Sequence, residues 1–379
     1  MADLNILHKT GIQEILSEQD LIYILENVKN PNHYIGFEIS GKLHIGQGIG
    51  TMKVIKKLQE LGVHCTIFLA DMHTLINDKL GGDKLFIRKT AKEYFIPAFN
   101  ACAKIVGADP DKITYILGSE LYASSPEYIE TLMEVSKNTT LARMTRSVTI
   151  MGRKEGDSID FSKLLYPPMQ VADIFTMNIH IAHAGMDQRK AHVIAIDTAD
   201  KIKNRSIKDD KGNKIKPVAI HHKLVKGLAA PSIWPLTDEQ KNDSSVMESL
   251  KMSKSKPGSA IFVTDSEEVI KSTMKKAFCP PLDVEYNPII DWIDAFVFDL
   301  IKDGEKWLVK RDEKWGGNVE YTNIDQVKKD YMDDKISGQD LKNNLADWLV
   351  ELLAPARKLT EDQNIRDIIS GIEKYQVKR

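Results

Sequence analysis

Short apolar runs alternate with stretches of helical periodicity over the first two thirds of the chain. The apolar runs predict strands near residues 34–38, 63–70, 114–118, 180–185 and 217–221. The stretches between them predict helices near residues 46–61, 87–106, 126–154 and 166–178. Strands that alternate with helices favour a mostly parallel sheet with helices on both faces. We therefore predict an α/β, Rossmann-like domain over residues 1–265, whose ligands bind at the carboxyl ends of the strands.

This alternation stops beyond about residue 265. Apolar residues between 340 and 359 recur at helical spacing, among them Leu341, Leu345, Trp348 and Leu352. A chain of 379 residues is also too long for one ordinary compact core. We therefore predict a second, mainly helical domain over residues 266–379.

Composition and charge narrow the class of protein. A hydrophobic share of 42% with 28% charged residues is typical of a globular protein in water. The net charge of -2 argues against nucleic acid wrapped over the whole surface, but it leaves room for a local basic face. Cys65, Cys102 and Cys279 show no CxxC spacing, which favours a reducing compartment. The first twenty residues lack a long apolar run, so we expect no signal peptide, no membrane span and a cytoplasmic location.

Residues 36–47, GFEISGKLHIGQ, join a predicted strand to a predicted helix. Glycines at Gly36, Gly41 and Gly46 allow the backbone to approach a ligand closely, and His44 and Gln47 stand where the helix begins. A helix N-terminus offers unpaired N–H groups and a partial positive charge, which suit phosphate. A glycine-rich connection with a surface histidine would have the same pattern, so this segment alone leaves its function open.

A second segment, KMSKSKPG at residues 251–258, concentrates positive charge. Lys251, Lys254 and Lys256 alternate with the hydroxyls of Ser253 and Ser255. Cations held in place can stabilise the charge on a departing pyrophosphate. A solvated surface loop is the alternative interpretation.

Together, HIGQ and KMSKS resemble the paired signatures of class I aminoacyl-tRNA synthetases. KMSKS matches the family pattern in full, whereas Gln47 stands where the family usually has histidine. Glutamine can still donate a hydrogen bond to phosphate but carries no charge. The resemblance implies that His44, Gln47, Lys251 and Lys254 are the catalytic residues. It implies an ATP site made of Gly36, His44, Gly46, Gln47, Met252, Ser253, Lys254 and Ser255.

Other segments are similar to tyrosyl-tRNA synthetases of the archaeal and eukaryotic kind, namely YIGFEISGKLHIGQ, FLADMHT, LLYPPMQVADI, AGMDQRKAH, KMSKSKPGSAI and KAFCPP. The resemblance implies a pocket for L-tyrosine in which Tyr34 and Asp173 bind the phenol oxygen. The residues that it assigns to the rest of this pocket are Glu38, Tyr166, Gln170 and Gln188. On a helix, Tyr166, Gln170 and Asp173 would share one face, and we expect Pro167 and Pro168 at the start of that helix.

Several alternatives remain open at this point. Tyr34 could be a core tyrosine and Asp173 a surface acid. A tryptophanyl-tRNA synthetase would share the fold and both signatures, although an indole offers only an N–H donor to Asp173. A nucleotidyltransferase without tRNA would not need the domain after residue 265. A non-catalytic RNA-binding relative would not need an intact KMSKS.

The same resemblance implies a tRNA(Tyr) partner. A basic segment at residues 136–154 falls in a connecting insertion at about 120–163, which the family uses for a homodimer interface and near the acceptor stem. Arg189 would contact acceptor-end phosphate. Trp315 would stack on the first anticodon base, and Asp340 would accept hydrogen bonds from that base.

The implied reaction has two steps. The carboxylate of L-tyrosine attacks the α-phosphorus of ATP, and the tyrosyl group then passes to the 3′ end of tRNA(Tyr). Catalysis would consist of positioning and charge stabilisation, since no side chain acts as a nucleophile. We expect Mg²⁺ with the ATP phosphates, no organic cofactor and no dedicated metal site.

Overall fold

A computed structural model describes residues 4–152, 160–231, 233–241, 252, 258–302 and 304–377. Within these residues, one six-stranded sheet contains β1 (Ile12–Leu16), β2 (Asn32–Phe37), β3 (His64–Leu69), β4 (Ile113–Leu117), β5 (Ile181–Gly185) and β6 (Val218–His222). The strand order across the sheet is 1-6-5-2-3-4. Strands β2 to β6 are parallel, whereas β1 pairs with β6 in the antiparallel direction. The Rossmann-like fold class is confirmed.

All five predicted strands are present, but the sequence did not predict β1. The inner strands are buried on both faces and therefore appear as continuous apolar runs; β5, for example, is buried at every position. By contrast, β1 is an edge strand, and only Ile12 is buried in it. Its sequence, IQEIL, is too short and too mixed to give a strand signal.

Helices cover both faces of the sheet. Those before residue 266 are α1 (Asn5–His8), α2 (Glu18–Asn27), α3 (Thr51–Glu60), α4 (Asp71–Ile76), α5 (Lys84–Thr90), α6 (Ile96–Val106), α7 (Gly118–Ser124), α8 (Tyr128–Lys137), α9 (Leu141–Ser147), α10 (Phe161–Thr176), α11 (Arg189–Thr198) and α12 (Asp238–Lys241). A π-helical turn, Gly46–Gly50, leads into α3, and another, Ala91–Phe95, joins α5 to α6. None of the helices in the described part of the chain is both long and apolar enough to cross a membrane.

Helix α10 corrects one expectation. It begins at Phe161, where the Asp160 side chain caps it by accepting a hydrogen bond from the Ser162 N–H. Pro167 and Pro168 therefore lie inside the helix and not at its start. A proline removes one backbone N–H donor and bends the helix that contains it. Tyr166, Gln170 and Asp173 nevertheless share one face, as predicted.

The chain after residue 265 is mainly helical. Its helices are α13 (Glu267–Lys276), α14 (Pro288–Ile293), α15 (Ile324–Met332), α16 (Gly338–Leu352), α17 (Ala354–Arg357) and α18 (Gln363–Val377), and β7 (Trp307–Val309) pairs with β8 (Val319–Tyr321) in a small ribbon. The last helix, α18, packs against residues that precede the sheet's fourth strand, where the Tyr375 ring lies 5.5 Å from the Phe86 ring and the Tyr375 hydroxyl donates a hydrogen bond to Asp83 at 3.2 Å. One apolar core extends from Leu4 to Ile372.

Candidate active site

The strand order reverses direction at β2, which lies between β3 and β5. In an open parallel sheet this switch point leaves a crevice at the carboxyl ends of the strands. Here it holds a cleft of about 310 Å³. The predicted site residues that line this cleft are Tyr34, Gly36, Glu38, His44, Gly46, Gln47, Tyr166, Gln170, Asp173, Gln188 and Met252.

The floor of the cleft is built around Asp173, whose side chain is only 1% exposed. Burial raises the pKa of its carboxyl well above the usual range, and the neighbouring hydroxyls of Tyr122 and Tyr128 oppose that rise. Tyr34 is equally buried on β2. Burial and then the charge of Asp173 raise the Tyr34 pKa, whereas a hydrogen bond with Gln170 lowers it. A buried carboxyl surrounded by tyrosine hydroxyls can recognise the hydroxyl of a ligand.

Three residues of this floor were missed by the sequence analysis. The Tyr128 hydroxyl donates to Asp173 Oδ1 at 3.1 Å. The Tyr122 ring stacks on the Tyr128 ring with centroids 4.1 Å apart. His73 Nε2 lies 3.7 Å from Asp173 Oδ2, and burial lowers the His73 pKa to about 4, so this imidazole is neutral near pH 7. His73 stands in the FLADMHT segment, but the two tyrosines come from the insertion and carry no pattern that marks a pocket.

The side wall of the cleft brings Glu38 and Tyr166 together. Burial raises the Tyr166 pKa well above its usual value, and the neighbouring charge of Glu38 and a hydrogen bond with it raise the pKa further. The Asn77 amide donates to Glu38 Oε1 at 2.8 Å, which fixes the carboxylate. The Gln188 amide donates to the Ile150 carbonyl at 2.9 Å. The insertion therefore contributes to this wall through its backbone.

The mouth of the cleft contains the helix start that the sequence predicted. The Gln47 N–H donates to the ring nitrogen Nδ1 of His44 at 3.2 Å, which orients the imidazole. A Cβ added to Gly46 would lie 3.3 Å from the His44 ring and 3.8 Å from the Met252 sulfur. Glycine at this position therefore keeps the entrance open. The N–H groups of Ile45, Gln47 and Gly48 are already bonded to Ile261 and His44, but the partial positive charge at the N-terminus of the helix still favours an anionic ligand.

Most of the KMSKS segment lies outside the described residues, including the predicted Lys251, Ser253, Lys254 and Ser255. Met252 is described, and its N–H donates to the Val225 carbonyl at 2.9 Å. Met252 lines the same cleft as His44 and Gln47. The two signatures therefore meet at this residue.

The predicted tRNA-binding residues lie outside the cleft. The Arg189 Nε–H donates to the Glu14 carboxylate at 2.8 and 3.0 Å, and the arginine side chain is 43% exposed. Trp315 is 65% exposed. Asp340 Oδ2 accepts a hydrogen bond from the Ser337 hydroxyl at 2.8 Å and lies 3.2 Å from Arg311 Nε.

The fold, the cleft and the two signatures define a class of protein. Residues 26–354 match the family model described as tRNA synthetases class I (W and Y). The chain belongs to this family of class I aminoacyl-tRNA synthetases.

The individual relatives indicate which branch of this family the chain resembles. The chain is 47% identical to the tyrosine--tRNA ligase of Thermococcus kodakarensis over 94% of each chain. Its structure resembles the crystal structure of tyrosyl-tRNA synthetase complexed with L-tyrosine from Pyrococcus horikoshii, with a TM-score of 0.92, 42% identity and 98% of both chains covered. It also resembles the tyrosyl-tRNA synthetase of Aeropyrum pernix, with a TM-score of 0.77, 33% identity and the same coverage. The resemblance to tyrosyl-tRNA synthetases is confirmed.

Proposed function

We propose that this chain is a tyrosine–tRNA ligase that converts L-tyrosine and ATP to tyrosyl-adenylate and pyrophosphate, and then transfers the tyrosyl group to the 3′ end of tRNA(Tyr). The observation that carries the proposal is the buried carboxyl of Asp173 at the floor of a cleft whose mouth holds a helix N-terminus. A phenol satisfies this carboxyl, whereas the phenyl ring of phenylalanine leaves it unpaired. Tyrosyl enzymes are themselves the known example of such discrimination, and they reject phenylalanine by about 10⁵ without editing.

In the proposed pocket, Asp173 and Tyr34 bind the phenol oxygen of the substrate. Tyr166, Gln170 and Gln188 hold its α-amino end, with Glu38 fixed beside Tyr166. These assignments are supported by the position of all six residues on the lining of one cleft. The substrate carboxylate would then point towards the mouth.

The ATP phosphates are proposed to lie between His44 and Gln47 on one side and the KMSKS lysines Lys251 and Lys254 on the other. Gly36, Gly46, Met252, Ser253 and Ser255 complete the proposed ATP site. The tyrosine carboxylate attacks the α-phosphorus, and a new bond forms between a carboxylate oxygen and that phosphorus. Pyrophosphate leaves with the electron pair of the broken P–O bond. The lysines and the partial positive charge at the helix N-terminus stabilise the charge that develops on the leaving group. Mg²⁺ enters as part of the substrate, because this ion is usually held by phosphates and one or two carboxylates.

The tRNA contacts are proposed on two faces of the molecule. We propose that Arg189, beside Gln188, releases Glu14 and contacts acceptor-end phosphate instead. Trp315 is exposed enough to stack on an anticodon base. The backbone N–H of Arg311 donates to the Asn318 side chain, on the other side of the loop that carries Trp315. The Arg311 guanidinium lies beside Asp340, the proposed acceptor for the base. Arg311 therefore connects this loop to Asp340.

We further propose that the chain forms a homodimer in the cytoplasm. Helices α8 and α9 both contact α10, and the three helices carry unusually exposed apolar side chains. These residues are Ile129, Met133, Leu141, Phe161 and Leu165, of which Phe161 is 76% exposed. Apolar surface of this kind often marks a protein interface.

Pyrophosphate exchange into ATP, measured with each amino acid in turn, tests the proposed function. We expect exchange with tyrosine only, followed by charging of tRNA(Tyr) transcripts. Exchange that depends on tryptophan would place the chain in the other branch of its family. Exchange with no amino acid would contradict the proposed activation step.

A further inference from the structure

A row of three histidines crosses the sheet from its buried interior to the cleft. His33 lies on β2, His183 on β5 and His222 at the end of β6. His33 Nε2 lies 3.2 Å from His183 Nδ1, and His183 Nε2 lies 2.9 Å from His222 Nδ1. His33 and His183 are fully buried, while His222 is half-buried and lines the cleft.

The strand register explains the diagonal course of this row. His33 pairs with Ile181, two residues before His183, and His183 pairs with Ile220, two residues before His222. Side chains two residues apart point to the same face of a sheet. Each step across the sheet therefore also moves two residues towards the carboxyl ends, where the cleft lies.

The row couples the protonation sites of its members. Burial lowers the pKa of His33 to about 3 and that of His222 to about 4, and it lowers the His183 pKa well below its usual value. All three rings are therefore neutral near pH 7, with one N–H each. Because Nε2 of one ring always faces Nδ1 of the next, the proton must occupy the same nitrogen in all three rings.

Two observations favour the proton on Nε2. His33 Nδ1 is buried without a hydrogen-bond partner among the described residues, and an orphaned buried N–H is rarer than an unpaired acceptor. At the other end, a Cβ added to Gly185 would lie 2.8 Å from Asp187 Oδ1 and 3.4 Å from His222 Nε2, so both atoms face one point of the cleft. The charge of Asp187 raises the His222 pKa against burial and favours an N–H on the nearer nitrogen.

We propose that His222 donates a hydrogen bond from Nε2 to the nucleoside part of the nucleotide, and that His33 and His183 are positioning residues that keep the proton on this nitrogen. The proposal rests on the proposed function in taking the nucleotide to be ATP. It explains why His33 and His183 occupy two core positions at which apolar residues would pack at lower cost. Each internal nitrogen of the row finds its partner in the next ring.

Tyrosine-dependent pyrophosphate exchange tests the contact to the nucleotide. His222→Leu should raise the KM for ATP about five- to tenfold, the effect of one lost hydrogen bond, with the KM for tyrosine unchanged. His222→Asn keeps an amide donor and should recover most of the loss. An equal rise in both KM values, or no rise at all, would overturn the proposal.

Nitrogen-15 NMR of the histidine rings tests the positioning role. Wild-type protein should show His222 with its proton on Nε2, and His183→Leu should give a mixture of tautomers together with a raised KM for ATP. His180→Gln is the matched control, since His180 is also buried on the β5 side but bonds Asn32 and Lys208 outside the row. A wild-type His222 protonated on Nδ1 would refute the inference. Wild-type protein without any tyrosine-dependent exchange would instead count against the proposed function.

Discussion

The Asp173 carboxyl lies between the Tyr128 hydroxyl and the His73 ring, with almost no access to water. Its folded-state pKa is raised above the unfolded value of about 3.9. The folded protein therefore binds this proton more tightly than the unfolded chain does. This proton stabilises the folded state fully at pH values below the pKa of Asp173 in the unfolded chain. The stabilisation is lost as the pH rises through the pKa of Asp173 in the folded protein.

Replacing Asp173 by asparagine should therefore separate stability from activity. The melting temperature of Asp173→Asn relative to wild type should increase as pH rises from 4 to 8, because asparagine carries no buried charge. Tyrosine-dependent exchange should fall about 5- to 15-fold, because asparagine still accepts the phenol hydrogen bond but lacks the charge that strengthens it. Asp197→Asn, at a half-exposed carboxylate paired with Arg143, is the control and should show neither effect. A variant that is destabilised equally at every pH would contradict the assignment.

Tyr128 offers a milder test of the same floor. Tyr128→Phe removes the donor to Asp173 but keeps the ring that stacks on Tyr122. Loss of this hydrogen bond should raise the KM for tyrosine about two- to tenfold and leave the KM for ATP unchanged. Because that bond lowers the Asp173 pKa, the pH profile of tyrosine activation should also shift to higher pH. Tyr115→Phe, whose hydroxyl bonds Asn100 away from the cleft, should change none of these quantities.

At the scale of elements, Asp340 belongs both to the proposed anticodon site and to the N-terminal cap of helix α16. Ser337 caps this helix by accepting from the Asp340 N–H at 3.1 Å, and the Asp340 carboxylate accepts from the Ser337 N–H and hydroxyl in return. This reciprocal arrangement is a capping box. The Asp340 carboxylate must loosen part of it to accept hydrogen bonds from a base.

Ser337→Ala should therefore have two opposite effects. The free energy of unfolding should fall by about 1 kcal/mol through loss of the cap, measured by denaturant unfolding. The KM for tRNA(Tyr) should decrease, because Asp340 no longer bonds the serine hydroxyl. Asn323→Ala, which removes a comparable cap from α15, is the control: its stability loss should be similar, with no gain in tRNA binding. A higher KM for tRNA in Ser337→Ala alone would contradict this account.

The sequence predicted the parallel strands and the face of α10 well, since both depend on a strong local pattern. It failed where the decisive contacts are distant in the chain. Tyr128 reaches Asp173 across 45 residues, and β1 pairs with a strand that begins some 200 residues later. The start of α10 was misplaced because prolines usually mark a helix N-terminus, whereas Asp160 provides the cap here. Here the local signal of an N-cap aspartate competed with the stronger signal of two prolines.

At the scale of the whole molecule, the exposed apolar side chains of the insertion predict the oligomeric state. The double variant Met133→Lys and Phe161→Glu should sediment as a 42.8 kDa monomer, where wild type should sediment with twice that mass. Leu85→Glu changes an equally exposed leucine on α5 and should leave the dimer intact. A wild-type protein that sediments as a monomer at micromolar concentration would contradict the proposed homodimer.

The pairing of β1 with β6 also has a consequence for the order in which the molecule assembles. Glu14 on β1 bonds both His221 on β6 and Arg189 beside the cleft, so β1 leaves the ribosome long before the partners that follow it by 175 residues or more. Contacts so far apart in sequence form slowly, because a long loop must close first. Until then, the nascent β6 exposes an unpaired edge that another chain could join.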